Sequence, residues 1–377
     1  MKKIQMVDLV SQYEAIKEEV KTSIDNILSK AQFINGPDVH AFSDELASYL
    51  GANHVIPCAN GTDALQIAMM ALDLKPGDEV ITPSYTYIAT TEVVGLLRLK
   101  PVFVDCEKDS FNISPDAIRK AITPKTKAIV PVHLYGQSCD MEEIMKIAEE
   151  HNLYVIEDNA QAIGSDYTFS DGTKKKTGTI GHIGCTSFFP SKNLGCYGDG
   201  GAICTNDEEL ANKLKMIASH GQSKRYYHDV VGCNSRLDTI QAAVLRIKLR
   251  KLDDYIAARR KAADFYDNTF KDVAQITTPF RTENTKHVFH QYTLQLTDDV
   301  DRDALVEFLA SKDIPAMIYY PVPAHQQKMF AQLDTECGDL EITDWLTTRV
   351  FSLPMHTELT EEQLTYIANH VKEFISK

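Results

Sequence analysis

Between residues 51 and 205 the chain repeats one arrangement: a short apolar run bounded by turn residues, then a longer stretch whose apolar residues recur at three- and four-residue spacing. Runs of the first kind suit buried strands and stretches of the second suit amphipathic helices, so the alternation specifies a sheet covered by helices on both faces. Strands are expected over 54–57, 79–82, 102–104, 128–132, 154–157, 185–189 and 201–204, with helices over 62–72, 140–151 and 207–220. After Arg236 a helical pattern continues through Phe265, with Leu245, Leu249, Leu252 and Ile256 on one face. A helix of that length can bridge two domains. A strand over 290–296, a helix over 301–312, an extended segment over 315–323 and a last helix over 360–375 complete the reading. A chain of 377 residues exceeds what one core usually serves. The expected division is a large α/β domain over 1–245, with a mostly parallel sheet and an N-terminal arm, and a smaller α+β domain over 246–377. The segment 168–179, with Lys174, Lys175 and Lys176, reads as an exposed hairpin tip.

Charge narrows the partners. Lysine and arginine number 39 against 53 acidic residues, a net charge of −14, which opposes binding to nucleic acid or anionic lipid. Any phosphate must then be held by local N–H groups and hydroxyls. The opening residues carry no apolar run that could act as a signal or membrane span, and a cytoplasmic protein is expected. The eight cysteines stand singly with no C-x-x-C pair, which argues against a disulfide framework and a zinc site.

Three segments carry chemistry. In Ser187-Phe188-Phe189-Pro190-Ser191-Lys192-Asn193-Leu194-Gly195 a lysine follows a strand among small residues that let a ligand approach the backbone. A Schiff-base lysine must be deprotonated near neutral pH, so it needs an apolar or cationic setting; most lysines are instead solvated surface charges. In Val155-Ile156-Glu157-Asp158-Asn159-Ala160-Gln161 an apolar strand ends in two carboxylates, at the end of an open sheet where ligands bind. Neighbours at a strand end point to opposite sides, and Asp158 is the candidate to pair with a protonated ring nitrogen; it is equally suited to capping a following helix. In Cys58-Ala59-Asn60-Gly61-Thr62-Asp63-Ala64-Leu65 a turn opens a helix whose free N–H groups would receive a phosphate. The alternative there is an ordinary Thr62 N-cap.

These segments, with those at 76–83, 197–201 and 232–243, resemble the fold-type I pyridoxal-phosphate (PLP) enzymes, and within them the DegT/DnrJ/EryC1/StrS sugar aminotransferases. The resemblance spans nearly the whole chain. It is greatest to the UDP-2-acetamido-2-deoxy-3-oxo-glucuronate 3-aminotransferases of surface-polysaccharide and lipopolysaccharide pathways, through residues 58–67, 187–192 and 234–243. It implies pyridoxal 5'-phosphate as cofactor, L-glutamate as amino donor, a keto nucleotide-sugar as acceptor, and a homodimer with shared active sites. Carried over by position, Lys192 holds the cofactor and moves the proton, and Asp158 pairs with the ring nitrogen. Gln161 contacts the ring and Tyr87 stacks on it, while Thr62 and Ser187, with amides near Gly61 and Asp63, hold the phosphate. Asn234 would reach that phosphate from the other subunit. Taken without the resemblance, Tyr87 reads as a core or rim aromatic and Asn234 as a turn residue.

Arg236, Tyr319 and Tyr320 are the candidates for gripping the nucleotide-sugar, Arg by its fork of donors; an interface role suits them equally. Two departures stand out: Tyr319-Tyr320-Pro321 where relatives often carry His-Tyr-Pro, and Asn159 where alanine is common. Within PLP chemistry the alternatives are a sugar dehydratase, which carries histidine in place of the lysine, and amination at a 4-keto rather than a 3-keto position of a UDP-, dTDP- or GDP-sugar. Outside it stand a PLP-binding regulator with a DNA-reading module, disfavoured by the charge, and a metal enzyme using His287 and His290, which lacks nearby carboxylates.

Overall fold

Strands form where the apolar runs lie, and in a computed structural model, which describes residues 2–376, they assemble into one eight-stranded sheet. Across the sheet the order is His54–Cys58, Gly201–Thr205, Ile183–Ser187, Tyr154–Asp158, Thr126–Ile129, Glu79–Pro83, Lys100–Val104, Glu336–Cys337. Only Gly201–Thr205 opposes its neighbours; the remaining pairings are parallel. His54–Cys58, antiparallel to an antiparallel strand, therefore points the same way as Ile183–Ser187 and Tyr154–Asp158, and the carboxyl ends of all three meet at one edge.

Both faces are covered, as the alternation requires. Helices Gly61–Ala71 and Glu208–Ala218 pack Leu65, Ala68, Leu214 and Ile217 against Ile156, Ile183 and Ile203. Helices Pro115–Ala121 and Met141–His151 pack Ile118, Ile144 and Ile147 on Ile81, Ile129 and Val155 opposite. Each fully buried Ile or Leu contributes about 1.5–3 kcal/mol relative to exposure. A second, three-stranded sheet of Ile276–Thr277, Tyr292–Leu296 and Val350–Leu353 has its own core against helices Leu252–Phe270, Arg302–Ala310 and Glu361–Ile375. The tip at 168–179 is a hairpin of Asp166–Thr168 with Lys174–Lys176.

Three features depart from expectation. The helical pattern after Arg236 is two helices, Thr239–Leu249 and Leu252–Phe270. Leu245, Leu249, Leu252 and Ile256 do share one core, but the first helix packs on Pro37–Leu50 and Leu9–Lys30 and the second on Glu361–Ile375, so the chain bends at Arg250–Lys251 without proline or glycine. The expected boundary at 245/246 thus falls inside a helix. The chain also opens on two helices, Leu9–Lys30 and Pro37–Leu50, where an arm was expected. Finally, Glu336–Cys337, far along the chain, pairs in parallel with Lys100–Val104 and adds the last strand of the central sheet.

Candidate active site

The strand Tyr154–Asp158 shows why two adjacent carboxylates do different work. Glu157 is fully buried and turned away from the strand ends: it accepts N–H bonds from Gly178 at 2.7 Å, Ile180 at 2.7 Å and Gly181 at 2.6 Å, and meets His133 Nε2 at 2.8 Å. A buried charge survives only with such satisfaction. His133 Nδ1 accepts the Cys139 N–H at 3.1 Å, so Nε2 carries the proton toward Glu157. Asp158 points the other way, where Thr90 Oγ1 donates to its Oδ2 at 2.8 Å and the Ala160 N–H to its Oδ1 at 3.1 Å. No helix follows; 160–164 is a turn, so the helix-capping alternative falls away.

Lys192 follows the strand Ile183–Ser187 on a loop pinned by its own N–H to the Phe189 carbonyl at 2.8 Å. It is half-buried, and desolvation of the ammonium lowers it to about 8 against the pull of Asp158. Burial in turn pushes the Asp158 carboxyl up, while Thr90, the Ala160 amide and the Lys192 ammonium hold it down. Each charge acts on the other, and the two residues lie at or just past the carboxyl ends of neighbouring parallel strands, Tyr154–Asp158 and Ile183–Ser187.

At the neighbouring strand end, the helix Gly61–Ala71 starts beside Ser187. A Cβ on Gly61 would lie 2.7 Å from the Ser187 Cβ, and one on Gly201 would lie 2.5 Å from the Asn60 carbonyl carbon, so only glycine permits this approach. The N-cap is Asn60, not Thr62: its Oδ1 accepts the Asp63 N–H at 2.8 Å. That corrects two readings at once, because the Asp63 amide is already engaged and the Thr62 hydroxyl is released from capping. The Gly61 and Thr62 N–H groups precede the first helical bond, Ala64 N–H to Asn60 carbonyl, so the helix itself does not use them. Gly61→Ala should force the strand and helix apart, and cofactor affinity, read by titration, should fall about tenfold with a lower melting temperature.

The remaining candidates gather around this edge in part. Gln161 is buried, with Oε1 accepting the Tyr135 N–H at 2.7 Å and Nε2 donating to the Tyr320 hydroxyl at 3.0 Å. Tyr87 is 57% exposed and its ring lies 6.1 Å from that of Tyr320, tilted by 43°. Tyr319 and Tyr320 are half-buried. Asn234 is exposed on this chain and bridges Ser219, while Ser235 accepts the Ala59 N–H at 3.0 Å. Arg236 is half-buried and makes no ion pair among the described residues. His287 and His290 do not converge: His287 stacks on Phe289 at 3.9 Å, burial lowers it to about 3, and among the described residues no group of His, Cys, Asp and Glu is placed to hold a metal.

Thr90, His133, Tyr85 and Tyr135 were not foreseen. The only signal for Thr90 was Thr86 and Thr90 at helical spacing in an otherwise apolar stretch, where the two hydroxyls now meet at 3.1 Å. Among the described residues no helix is long and apolar enough to cross a membrane.

With this geometry in place, comparison with known proteins adds the family. The chain is 46% identical over 364 residues, 97% of its own length and 98% of the relative's, to a UDP-2-acetamido-2-deoxy-3-oxo-D-glucuronate aminotransferase of Pseudomonas aeruginosa. It is 45% identical over 370 residues, 98% of its length and 97% of the relative's, to a UDP-N-acetyl-3-dehydro-alpha-D-glucosamine 3-aminotransferase of Acidithiobacillus ferrooxidans. The fold matches the crystal structure of S. venezuelae DesV in complex with a ketimine intermediate, with a TM-score of 0.94, 36% identity and all of both chains covered. A sequence profile matches residues 14–372, and the chain belongs to the DegT/DnrJ/EryC1/StrS aminotransferase family.

Proposed function

We propose that this aminotransferase moves the amino group of L-glutamate onto the 3-keto carbon of a UDP-linked sugar, a 2-acetamido-2-deoxy-3-oxo-glucuronate or near relative, for surface-polysaccharide and lipopolysaccharide synthesis. One observation carries the reading: a half-buried lysine follows the strand that pairs in parallel with the one ending in the buried Asp158, and burial there lowers its amine. The two relatives of highest identity described above, both named for 3-keto UDP-sugars, support the acceptor.

The site suits pyridoxal phosphate. When bound, the cofactor supplies an electron sink that lets a proton leave the substrate carbon and nitrogen change hands. Lys192 then takes that proton and returns it, and desolvation maintains a neutral fraction of its amine near pH 7. Asp158, held by Thr90 and the Ala160 amide, presents its carboxylate to the proton on the ring nitrogen. The Gly61 and Thr62 amides, with the Thr62 and Ser187 hydroxyls, form the anion seat at a helix start. Gln161 and Tyr87 border the ring, and Arg236, Tyr319 and Tyr320 meet the nucleotide-sugar.

The proposed assembly is a homodimer in the cytoplasm. Exposed Phe33, Ile34, Tyr226, Tyr227, Val230 and Val231 form apolar surface for a second copy to cover, and from that copy Asn234 would reach the phosphate. Eight unpaired thiols suit a reducing compartment.

Incubating the enzyme with L-glutamate and a panel of 3-keto and 4-keto UDP- and dTDP-sugars, followed by product mass, tests the reading. Amination of the 3-keto UDP-sugar ahead of the others is expected. Preference for a 4-keto sugar would overturn the assigned position, and loss of water without gain of nitrogen would make the protein a dehydratase.

A further inference from the structure

The segment bearing Tyr319 and Tyr320 has no regular structure between the bridge from Met317 to Ser352 and the single turn Ala324–Gln326. Two phenols from the central sheet hold it instead. Tyr85 sits just past the strand Glu79–Pro83 and Tyr135 in the turn after Thr126–Ile129, and they are 1% and 2% exposed. Tyr85 donates its hydroxyl to the Tyr319 carbonyl oxygen at 2.5 Å, Tyr135 donates to the same oxygen, and the hydroxyls stand 3.0 Å apart. Both lone pairs of that carbonyl are thus filled by side chains. One residue on, the Tyr320 hydroxyl accepts from Gln161 Nε2, and the Tyr135 amide donates to Gln161 Oε1, which closes a ring of hydrogen bonds from the sheet to the segment and back.

We propose that Tyr85 and Tyr135 are positioning residues that clamp the main chain at Tyr319 and so set the pose of the nucleotide-sugar without taking part in the amino-acid half of the reaction. The proposal rests on the reading of Tyr319 and Tyr320 as sugar contacts. The clamp grips a backbone oxygen, so it fixes where both tyrosine side chains start without itself engaging either ring or hydroxyl. Packing alone does not require the hydroxyls, since phenylalanine fills the same space.

The test compares Tyr85→Phe, Tyr135→Phe and the double variant with the wild-type holoenzyme. Each single variant leaves one donor on the carbonyl, and the KM for the keto nucleotide-sugar should rise about fivefold. The double variant leaves a buried carbonyl without a partner, and its KM should rise by more than the two single effects multiplied, on the order of a hundredfold. The glutamate half-reaction, followed by the cofactor's visible absorbance, should stay within about twofold, because both hydroxyls bond the Tyr319 carbonyl rather than Lys192 or Asp158. Hydrogen exchange read by mass should quicken over residues 317–322 in the double variant and not around Lys192. Unchanged exchange over 317–322 would overturn the clamp whatever the sugar kinetics show, and so would an equal fall in both half-reactions. Should the wild type aminate no nucleotide-sugar, the functional reading fails, and the exchange measurement still decides the clamp. If the double variant does not fold, exchange in the single variants carries the same decision.

Discussion

Replacing Lys192 with alanine will leave a folded protein that holds no cofactor covalently and whose turnover falls by more than about 10⁴-fold. The loss is large because the proposed role gives one amine two tasks, as the attachment point and as the group that carries the proton. The fold should not suffer. Burial lowers the Lys192 amine from the ordinary lysine value of 10.5 to about 8. A lysine with a folded value below its unfolded one costs stability as pH falls from about 10.5 through about 8, and alanine removes that cost. Melting temperature at pH 7 should therefore stay level or rise while visible absorbance and product formation disappear. The same lowering predicts the pH course of cofactor capture by the cofactor-free wild type. Capture needs the neutral amine, so its rate should climb with pH and level off near 8, where an ordinary lysine would go on climbing toward 10.5. Retained turnover in the alanine variant would rule out the assigned role.

Asp158→Asn is expected to leave the fold intact and lower kcat by about 10²–10³-fold. Asparagine keeps the size of the side chain and an oxygen for the Thr90 hydroxyl, but it has no charge to set against a protonated ring nitrogen. Glu157→Gln should fail differently. Glu157 binds the 178–181 turn through three amides and faces His133, so its neutralisation loosens the turn and lowers the melting temperature, with a smaller effect on the chemistry. Comparing kcat and melting temperature for the two variants separates the carboxylates; equal losses of kcat would contradict the division of labour. Burial raises the Asp158 carboxyl, so in the cofactor-free protein it gains its proton at a higher pH than an ordinary aspartate as the solution is acidified.

Much of the central sheet was legible because its strands are short apolar runs between turn residues, and the opposite facing of Asp158 and Glu157 followed from strand alternation. The Lys192 strand was read two residues late, as 185–189 instead of Ile183–Ser187, because Phe188 and Phe189 look like strand residues; Phe189 is in fact 53% exposed at the site's edge. Local pattern also hid what depends on distant partners. The bend at Arg250–Lys251 arises from two helices choosing different neighbours. The Asn60 cap was masked by the adjacent Thr62, which suits the same position by type. Tyr85 and Tyr135 are separated by 50 residues, and Tyr319 lies 234 residues beyond Tyr85, so no spacing rule joins them. Thr90 becomes visible as a partner of Asp158 only once two parallel strand ends are side by side.

Among the described residues two lysines have amines lowered to about 8 by burial, Lys192 and Lys248. Depressed basicity alone does not choose between them. Lys248 lies over the Tyr197 ring at 4.5 Å on the helix Thr239–Leu249, whereas Lys192 shares its site with Asp158 at the strand ends. Borohydride treatment of the holoenzyme, which makes a lysine–cofactor bond permanent, followed by peptide mass mapping, decides the central claim most directly. The cofactor's added mass is expected on the peptide containing Lys192 and on no other; finding it on Lys248, or on no lysine, would refute the assignment of Lys192.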